Sequence, residues 1–595
     1  MALQVWLPLN GNIKNQGVSD LSFSVVSPTS SSASGKIGSC YYNNSHTTGG
    51  LTSNKTINLG SQQSMFCWVK FDRFYESASL TGVIGQHRYQ KNTGMGITTY
   101  RISETTAYLS VNTGTGSNRT FNDYRGSTVI NANKWYHVGY TFDGSTIRLY
   151  VNGSLDGTFT GHSSQKNVED YIGIFMWSLN DSTITNTLHP NYQLKGYLND
   201  VRIYDHCLSL KEIKEISKGL VLHYPMNNCN IEANNLLNNA SSYREGTPYT
   251  CTTTSKDGYF HTNMYYNNDS LGGQTVTFSV STNKQIAPSH GASESTHDKV
   301  GLWLYLKKTA YSSPDGSYDS PVNLNSSNNN FKSLGNNRYS WTYTIPSGYK
   351  GLMIRTNLYS NNGSSVSANF WDFQLEFGSK ALPFSPNNWT SATVYDCSGF
   401  GYNGAVTSAT APISNSDSPR YSSCFNFDTN AKYLTTAIDP TGYKDTYSIA
   451  WWGNIPSFGG AMFWGFSNMM NWYDGKYWNQ GDVGNNPFYS SGTTTITPPS
   501  VNTWHHYVIT GDGSATKLYV DGVLYGTAKT YRAIGGSSLQ INGWPNDSNY
   551  RIPGMKMSDF RIYATPLSAE DVKDLYSTSA VVCDNGTVMT YSLEE

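Results

Sequence analysis

Apolar and polar positions alternate along this chain in short stretches. In TIRLYVNGSLDG, Ile147, Leu149 and Val151 alternate with Arg148 and Tyr150. That period of two marks a strand buried on one face. Asn152-Gly153 follows and supplies the positive φ angles of a tight hairpin, as does Asp521-Gly522 further on. In DVRIY, Val201 and Ile203 share one face while Asp200, Arg202 and Tyr204 share the other. Just beyond, Ser209 with Glu212, and Ser568 with Asp571, stand at capping-box spacing. Each pair predicts one short helix. The pattern predicts an all-β chain of many-stranded antiparallel units, each ending in a strand and a short helix.

These patterns occur twice. NKWYHVGYTFDGSTIRLYVNGSLDGT (133–158) is echoed by NTWHHYVITGDGSATKLYVDGVLYGT (502–527). Trp135 aligns with Trp504, His137 with His506 and Asp143 with Asp512. NDVRIYDHCLSLKEIKEI (199–216) is echoed by SDFRIYATPLSAEDVKDL (558–575). Two echoes in the same order indicate a duplicated domain. LVLHYPMNN (220–228) resembles the opening LQVWLPLNG (3–11), yet the next recognisable piece, YDCSGFGYNG, begins at 395. Copy one is therefore placed at 1–218. Copy two is discontinuous, at 219–231 and 390–580, and a separate domain occupies 232–389. Strand patterns such as QTVTFSVST (274–282) and VGLWLYLK (300–307) fill that insert. Insertions are tolerated at exposed turns. The alternative is three domains in a row with 219–231 as linker. The tail, 581–595, holds one more strand pattern.

Charged residues make up 14% of the chain, below the typical share of about 25%. Aromatics also reach 14%, with 44 tyrosines. The formal net charge is −1, and no basic stripe recommends nucleic acid. No stretch approaches the ~18 apolar residues that span a bilayer. The opening MALQVWLPLNGN has no basic region followed by a long apolar one, so no secretory signal is expected. Eight scattered cysteines without a CxxC pair read as buried free thiols made in a reducing compartment.

The W-x-H…DG…LYV-[ND]-G block, the DCSGFGYNG turn and the DVRIY/DFRIY strand with its helix resemble the LamG-like, concanavalin A-like jelly-roll family. The resemblance implies two stacked antiparallel sheets in each copy. Copy one departs from it, with NQGVSD (15–20) where copy two has DCSGFGYNG. FWDFQLEFGSKALPFSP (370–386) resembles the exit strand of carbohydrate-binding modules. The expected fold is two concanavalin A-like jelly-roll sandwiches plus one smaller β-sandwich inserted in the second. The layout, with MALQVWLPLNGNIKNQG, resembles virion proteins of bacteriophages from Gram-positive gut hosts. That implies a virion location, synthesis in the host cytoplasm and contact with other virion proteins, with a homo-oligomer expected.

Glycoside hydrolysis needs two carboxyl groups flanking the scissile bond, and the hydrolase branch of this fold carries a dense acidic strand of the type E-x-D-x-x-E. None is present. Asp372 and Glu376 come nearest, but their i,i+4 spacing along a strand separates them by roughly 13 Å. A non-enzymatic chain is expected, with polysaccharide depolymerase the less favoured alternative. His137 and His506 are expected to be hydrogen-bonded core residues, and Trp135 and Trp504 core as well. The resemblance implies a structural Ca2+. Asp396 and Asp559 would share its site in copy two, with Asp200 the counterpart in copy one and Asp372 a candidate in the insert. The competing reading is that these aspartates cap turns and strand ends.

Sugar binding pairs an exposed ring, which takes the apolar CH face, with amide or carboxyl groups for the hydroxyls. SNMMNWYDGKYWNQGDVGNNPFY (467–489) offers Trp472, Tyr473, Tyr477, Trp478 and Asn479. Trp544 in NGWPNDSNY and Trp177 in FMWSLNDS are further candidates. The expected partners are host-surface or mucus glycans. The rival is a purely structural subunit whose sandwiches are spacers and whose aromatics are assembly contacts.

Overall fold

A computed structural model of the 595-residue chain describes residues 2–32, 35–75, 80–88, 93–114, 121–162, 169–176, 179, 187–189, 192–226, 235–237, 242–268, 271–312, 317–335, 337–361, 363–377, 381, 392–406, 413–414, 418–420, 424–429, 431–458, 461–467, 469–473, 478–480, 486–492, 494–545, 550–577, 581–584 and 587–590. Its strand ladders are antiparallel.

Two large sheets stack in the first lobe, one of eight strands and one of seven. Gln63–Phe71 runs at the centre of the first, between Tyr136–Phe142 and Gly196–Tyr204. Leu3–Leu7 pairs with Gly196–Tyr204, so the opening and closing strands meet. Met65, Cys67, Val138, Leu149 and Val201 face Ile84, Ile97, Leu109 and Val111 of the other sheet across one core. Ile147, Leu149 and Val151 point inward, as their alternation requires. Asn152 and Gly153 turn the hairpin at φ +50° and +77°, and Asp521 and Gly522 do so at +50° and +81°. Each turn also anchors its neighbour: the backbone N–H of His137 donates to Asn152 Oδ1, and that of His506 to Asp521 Oδ1, both at 2.9 Å.

The second lobe repeats this plan with sheets of ten and seven strands. Leu220–Tyr224 pairs with Met555–Tyr563, the partner of Tyr447–Asn454. The strands from Tyr249 to Phe377 instead form a five-stranded and a four-stranded sheet of their own. Their core is built from Phe278, Leu302, Leu304, Trp341, Ile354 and Phe373.

Two helices occur among the described residues, Leu210–Ser217 and Ala569–Ser577. Ser209 and Glu212 cap the first reciprocally, and Ser568 and Asp571 the second. Each lies on the outer face of its lobe's larger sheet. Ile213 and Ile216 cover Trp6, Phe66 and Tyr150. Val572 and Leu575 cover Val508, Tyr519 and Tyr563.

One device recurs in all three sandwiches. A late strand is interrupted by a bulge that holds an aspartate at positive φ: Asp200 at +51°, Asp372 at +53° and Asp559 at +54°. Aspartate tolerates this conformation better than most side chains. Its backbone N–H leaves the ladder for an earlier segment, reaching the carbonyls of Pro8, Tyr243 and Pro225 at 3.0–3.1 Å.

The lobes meet in a packed seam. Trp6 sets its edge against Phe400 at 6.5 Å, Asn10 donates to the Phe400 carbonyl, and Ile37 and Trp68 join the second lobe's core. Gly399, at φ +87°, leaves no room for a side chain beside the Trp6 indole. Among the described residues six cysteines are free thiols, and Cys40, Cys67, Cys251 and Cys424 of these are buried.

Candidate functional site

The aromatic cluster picked out in copy two folds differently from its expected role. Met470–Tyr473 and Trp478–Gln480 form a short hairpin at the edge of the seven-stranded sheet. Trp478 turns inward and is 1% exposed. It stacks on Phe463 at 5.9 Å and meets Phe458 and Tyr507 at 5.6 Å. Its Nε1 donates to Asn471 Oδ1 at 3.2 Å. Asn479 is buried beside it. The expectation that Trp478 and Asn479 display themselves to a sugar is therefore corrected: strand pairing folds them over the sandwich core. Tyr473 is half-buried against Phe458. Trp472 lies on the hairpin's first strand. Tyr477 and Trp177 lie outside the described residues. Trp544 is half-buried, and its Nε1 has no protein partner.

A broader aromatic surface stands on the inserted sandwich, on the solvent side of its four-stranded sheet. In Val300–Lys307, Val300, Leu302, Leu304 and Leu306 point into the core. Period two then turns Trp303 and Tyr305 outward. Arg355 and Asn357 emerge from Gly351–Tyr359, opposite Trp303 and Gly301 in register. From the adjoining Asp257–Asn267, Tyr259 and His261 come forward, paired with Asn357 and Arg355. The Arg355 guanidinium carbon lies 3.9 Å from the Tyr259 ring centre, 5.0 Å from Tyr305 and 6.0 Å from Trp303. Tyr318 leans over Tyr305 at 4.1 Å, and His290 sets its edge on Trp303 at 4.7 Å. Tyr259 is 47% exposed and Tyr318 46%.

Sequence reading passed over these residues. The signal was present in VGLWLYLK, where both phases of the alternation are apolar and the outward phase is aromatic. Such a strand either is buried on two faces or displays rings. Arg355 and Tyr259 carry no comparable sequence signal, because register alone brings them together.

A model of the concanavalin A-like lectin/glucanases superfamily matches residues 44–214 and 428–573, just over half of the chain. The chain belongs to this superfamily. No curated protein matches it in sequence. Among solved structures, domain 4 of the arabinanase AbnA from Geobacillus stearothermophilus is 16% identical, covering 36% of this chain and 98% of its own at a TM-score of 0.28. The binding domain of Paraclostridial Mosquitocidal Protein 1 is 12% identical, covering 89% of this chain and 91% of its own at a TM-score of 0.30. A pentraxin from Limulus polyphemus is 16% identical over 28% of this chain and 74% of its own, at a TM-score of 0.24.

Within the two concanavalin A-like lobes, the aspartates expected at calcium positions are held by protein donors. Asp559 pairs with Arg561 at 2.7 Å and meets His223 Nε2 at 2.9 Å. Although burial opposes ionisation, Arg561 and His223 hold its carboxyl far below the usual range. Asp200 accepts from Trp6 Nε1 at 2.7 Å and pairs with Arg202 at 2.9 Å. Asp396 accepts from the backbone of His223, Ser398 and Tyr402 and from the Ser398 hydroxyl, at 2.7–3.0 Å. His223 thus joins Asp396 to Asp559. In the inserted sandwich, Asp372 pairs with Arg244 at 3.0 Å. Among the described residues, no group of three or more His, Cys, Asp or Glu is placed to hold a metal ion.

Of the repeated histidines, His137 departs from its expected hydrogen bonding. His137 lies parallel to Phe66 at 5.5 Å, and neither ring nitrogen has a protein partner. Burial pushes His137 and His506 down to about 3, so both rings are neutral over most of the pH range. Trp135 and Trp504 are half-buried rather than core, because each sits just ahead of its strand. Lys70 approaches the Trp135 ring at 5.5 Å.

Proposed function

We propose that this chain is a non-enzymatic glycan-binding protein and that the open aromatic face of the inserted sandwich grips the sugar. One observation carries the reading: Trp303, Tyr259 and Tyr318 present rings on one sheet face beside the donors of Arg355. An apolar sugar face gains by covering such rings, and its hydroxyls take the hydrogen bonds. The membership of the lobes in a superfamily of lectins and glucanases is consistent with this role, although fold alone does not fix function. Weak sites on linked copies would add by avidity. The test is a glycan array with the full chain, followed by titration of the best ligand into the wild type and a Tyr259→Ala/Trp303→Ala double variant. A loss of about tenfold or more is expected, in a variant whose unfolding curve shows it to be folded. Unchanged affinity in the variant would refute the assignment of this face.

A virion component that adheres to host-surface or mucus glycans is the proposed setting. The opening MALQVWLPLNGNIKNQG and the interrupted domain layout support it. Immunogold labelling of purified particles tests this setting, and unlabelled particles would exclude it.

A further inference from the structure

We infer that the sugar taken by the inserted sandwich is acidic and that Arg355 binds its carboxylate. This rests on the reading of that face as a glycan platform and adds the charge of the ligand.

Arginines elsewhere in the chain show what such a group ordinarily has. Arg202 and Arg561 are buried against Asp200 and Asp559. Arg88 lies against Asp170, Arg148 against Asp143 and Arg244 against Asp372. Arg355 is half-buried among three rings and makes no ion pair among the described residues. Its one hydrogen bond is a long one, from Nε to Asn357 Oδ1 at 3.3 Å. Asp257 acts on it only through space. The terminal nitrogens of the guanidinium therefore have no protein acceptor among the described residues.

Two donors beside it are buried and also lack a protein partner. Asn357 is fully buried, and with its oxygen turned to Arg355 its Nδ2 has no partner. Trp303 Nε1 has none either. Leaving a buried donor unmade costs about 1–3 kcal/mol, a cost that Asn357 and Trp303 bear, whereas the half-buried Arg355 keeps a guanidinium at the surface with no counter-charge. Neutral hydroxyls leave the guanidinium charge unanswered. A carboxylate answers it, since its two oxygens accept a parallel pair of bonds from the planar fork. The stacked rings shield that pair from water on one side, which strengthens it. The sugar ring bearing the carboxylate would then lie across Tyr259 and Trp303.

The experiment titrates tri-galacturonic acid and 3′-sialyllactose into the full chain, each beside its carboxyl-reduced counterpart. Sulfated lactose is run in parallel. At least one carboxylated sugar is expected to bind about tenfold or more tighter than its reduced form. Arg355→Gln is expected to abolish that preference while leaving the weaker affinity for the reduced form, and Arg355→Lys to keep part of it. Unfolding curves of the three proteins establish that they are folded. Equal affinity for acid and reduced forms overturns the inference and leaves the platform standing, provided Tyr259→Ala/Trp303→Ala still abolishes binding. Preference for the sulfated sugar over both carboxylated ones overturns it in favour of a different anion. A carboxylate preference that survives Arg355→Gln overturns the assignment of Arg355. No binding to any sugar overturns both the inference and the platform.

Discussion

Lys36 offers the sharpest check on the seam between the lobes. It leaves the first lobe and is buried against the second, 7% exposed. There it meets the Gly442 carbonyl and the Thr446 hydroxyl at 3.4 Å and lies over the Trp68 ring at 5.4 Å. It has no carboxylate partner among the described residues. Burial pushes its ammonium down from 10.5 to about 8. That fall corresponds to about 3 kcal/mol lost by burying the charge. The folded state holds the proton less tightly than the unfolded state. Below pH 8 both states are protonated and the full cost is borne. Between pH 8 and 10.5 the unfolded chain binds more protons, so the cost fades as pH rises. Lys36→Met keeps the length of the side chain and removes the charge. The variant is expected to be about 3 kcal/mol more stable than the wild type at pH 7, with the gap closing by pH 10.5. Chemical denaturation followed by tryptophan fluorescence, repeated across pH 7–10.5, measures it. Tyrosines and thiols that titrate in this range are common to both proteins and cancel in the difference. A variant less stable at pH 7, or a gap that does not change with pH, would refute the reasoning.

Replacing the buried, unpartnered His137 by Phe should be nearly neutral at pH 7. Because the folded His137 titrates near 3 against an ordinary 6.5, the wild type loses stability as pH falls through that window, by ~5 kcal/mol at most. Acid unfolding curves should therefore diverge below pH 6.5, with the variant the more resistant. Asp559→Asn leaves Arg561 buried without its counter-ion, a loss of about 3–5 kcal/mol that thermal unfolding should register in the second lobe. Trp478→Ala should cost ~3–5 kcal/mol through the cavity it leaves, read by denaturation. It should leave glycan affinity of the folded protein unchanged, which separates this core residue from Trp303.

The β class was legible because alternation and turn chemistry are local. Ile147, Leu149 and Val151 declare their strand, and Asn152-Gly153 its turn, without reference to the rest of the chain. The helix caps at Ser209 and Ser568 were local in the same sense. What was not legible depended on distant register. Trp478 looked like a displayed ring because Asn, Asp and Gly surround it, and those residues mark an exposed turn. The pairing of Trp478–Gln480 with Met470–Tyr473 then decides which side the ring takes. The aspartates were read as ion ligands from the family resemblance, against the alternative that they cap turns and strand ends. The arginine two residues later in Asp-Val-Arg and Asp-Phe-Arg was visible, but its return across the bulge was not.

The same geometry explains why the proposed recognition face lies on the inserted sandwich. In the repeated lobes the outward positions of the larger sheet are also aromatic, as Phe66, Tyr150 and Tyr519 show. Each lobe's closing strand runs straight into a helix that must bury its own apolar stripe, and it does so on those rings. The part of each large sheet's outer face that carries those rings is therefore closed by its own chain. The inserted sandwich has no helix among its described residues. Its outward ring cluster is covered only in part, Tyr305 and Met353 by Tyr311 and Tyr265, while Trp303 stays half-open at its edge. A strand such as Val300–Lys307, apolar on both faces, is stable in water only if something covers the second face. Here the chain supplies half a cover and leaves the charge of Arg355 in the gap. If a sugar supplies the rest, saturating ligand should stabilise the inserted sandwich selectively. Amide exchange in Val300–Lys307 and Gly351–Tyr359 would slow while that in Gln63–Phe71 would not. Equal slowing in all three would place the ligand elsewhere.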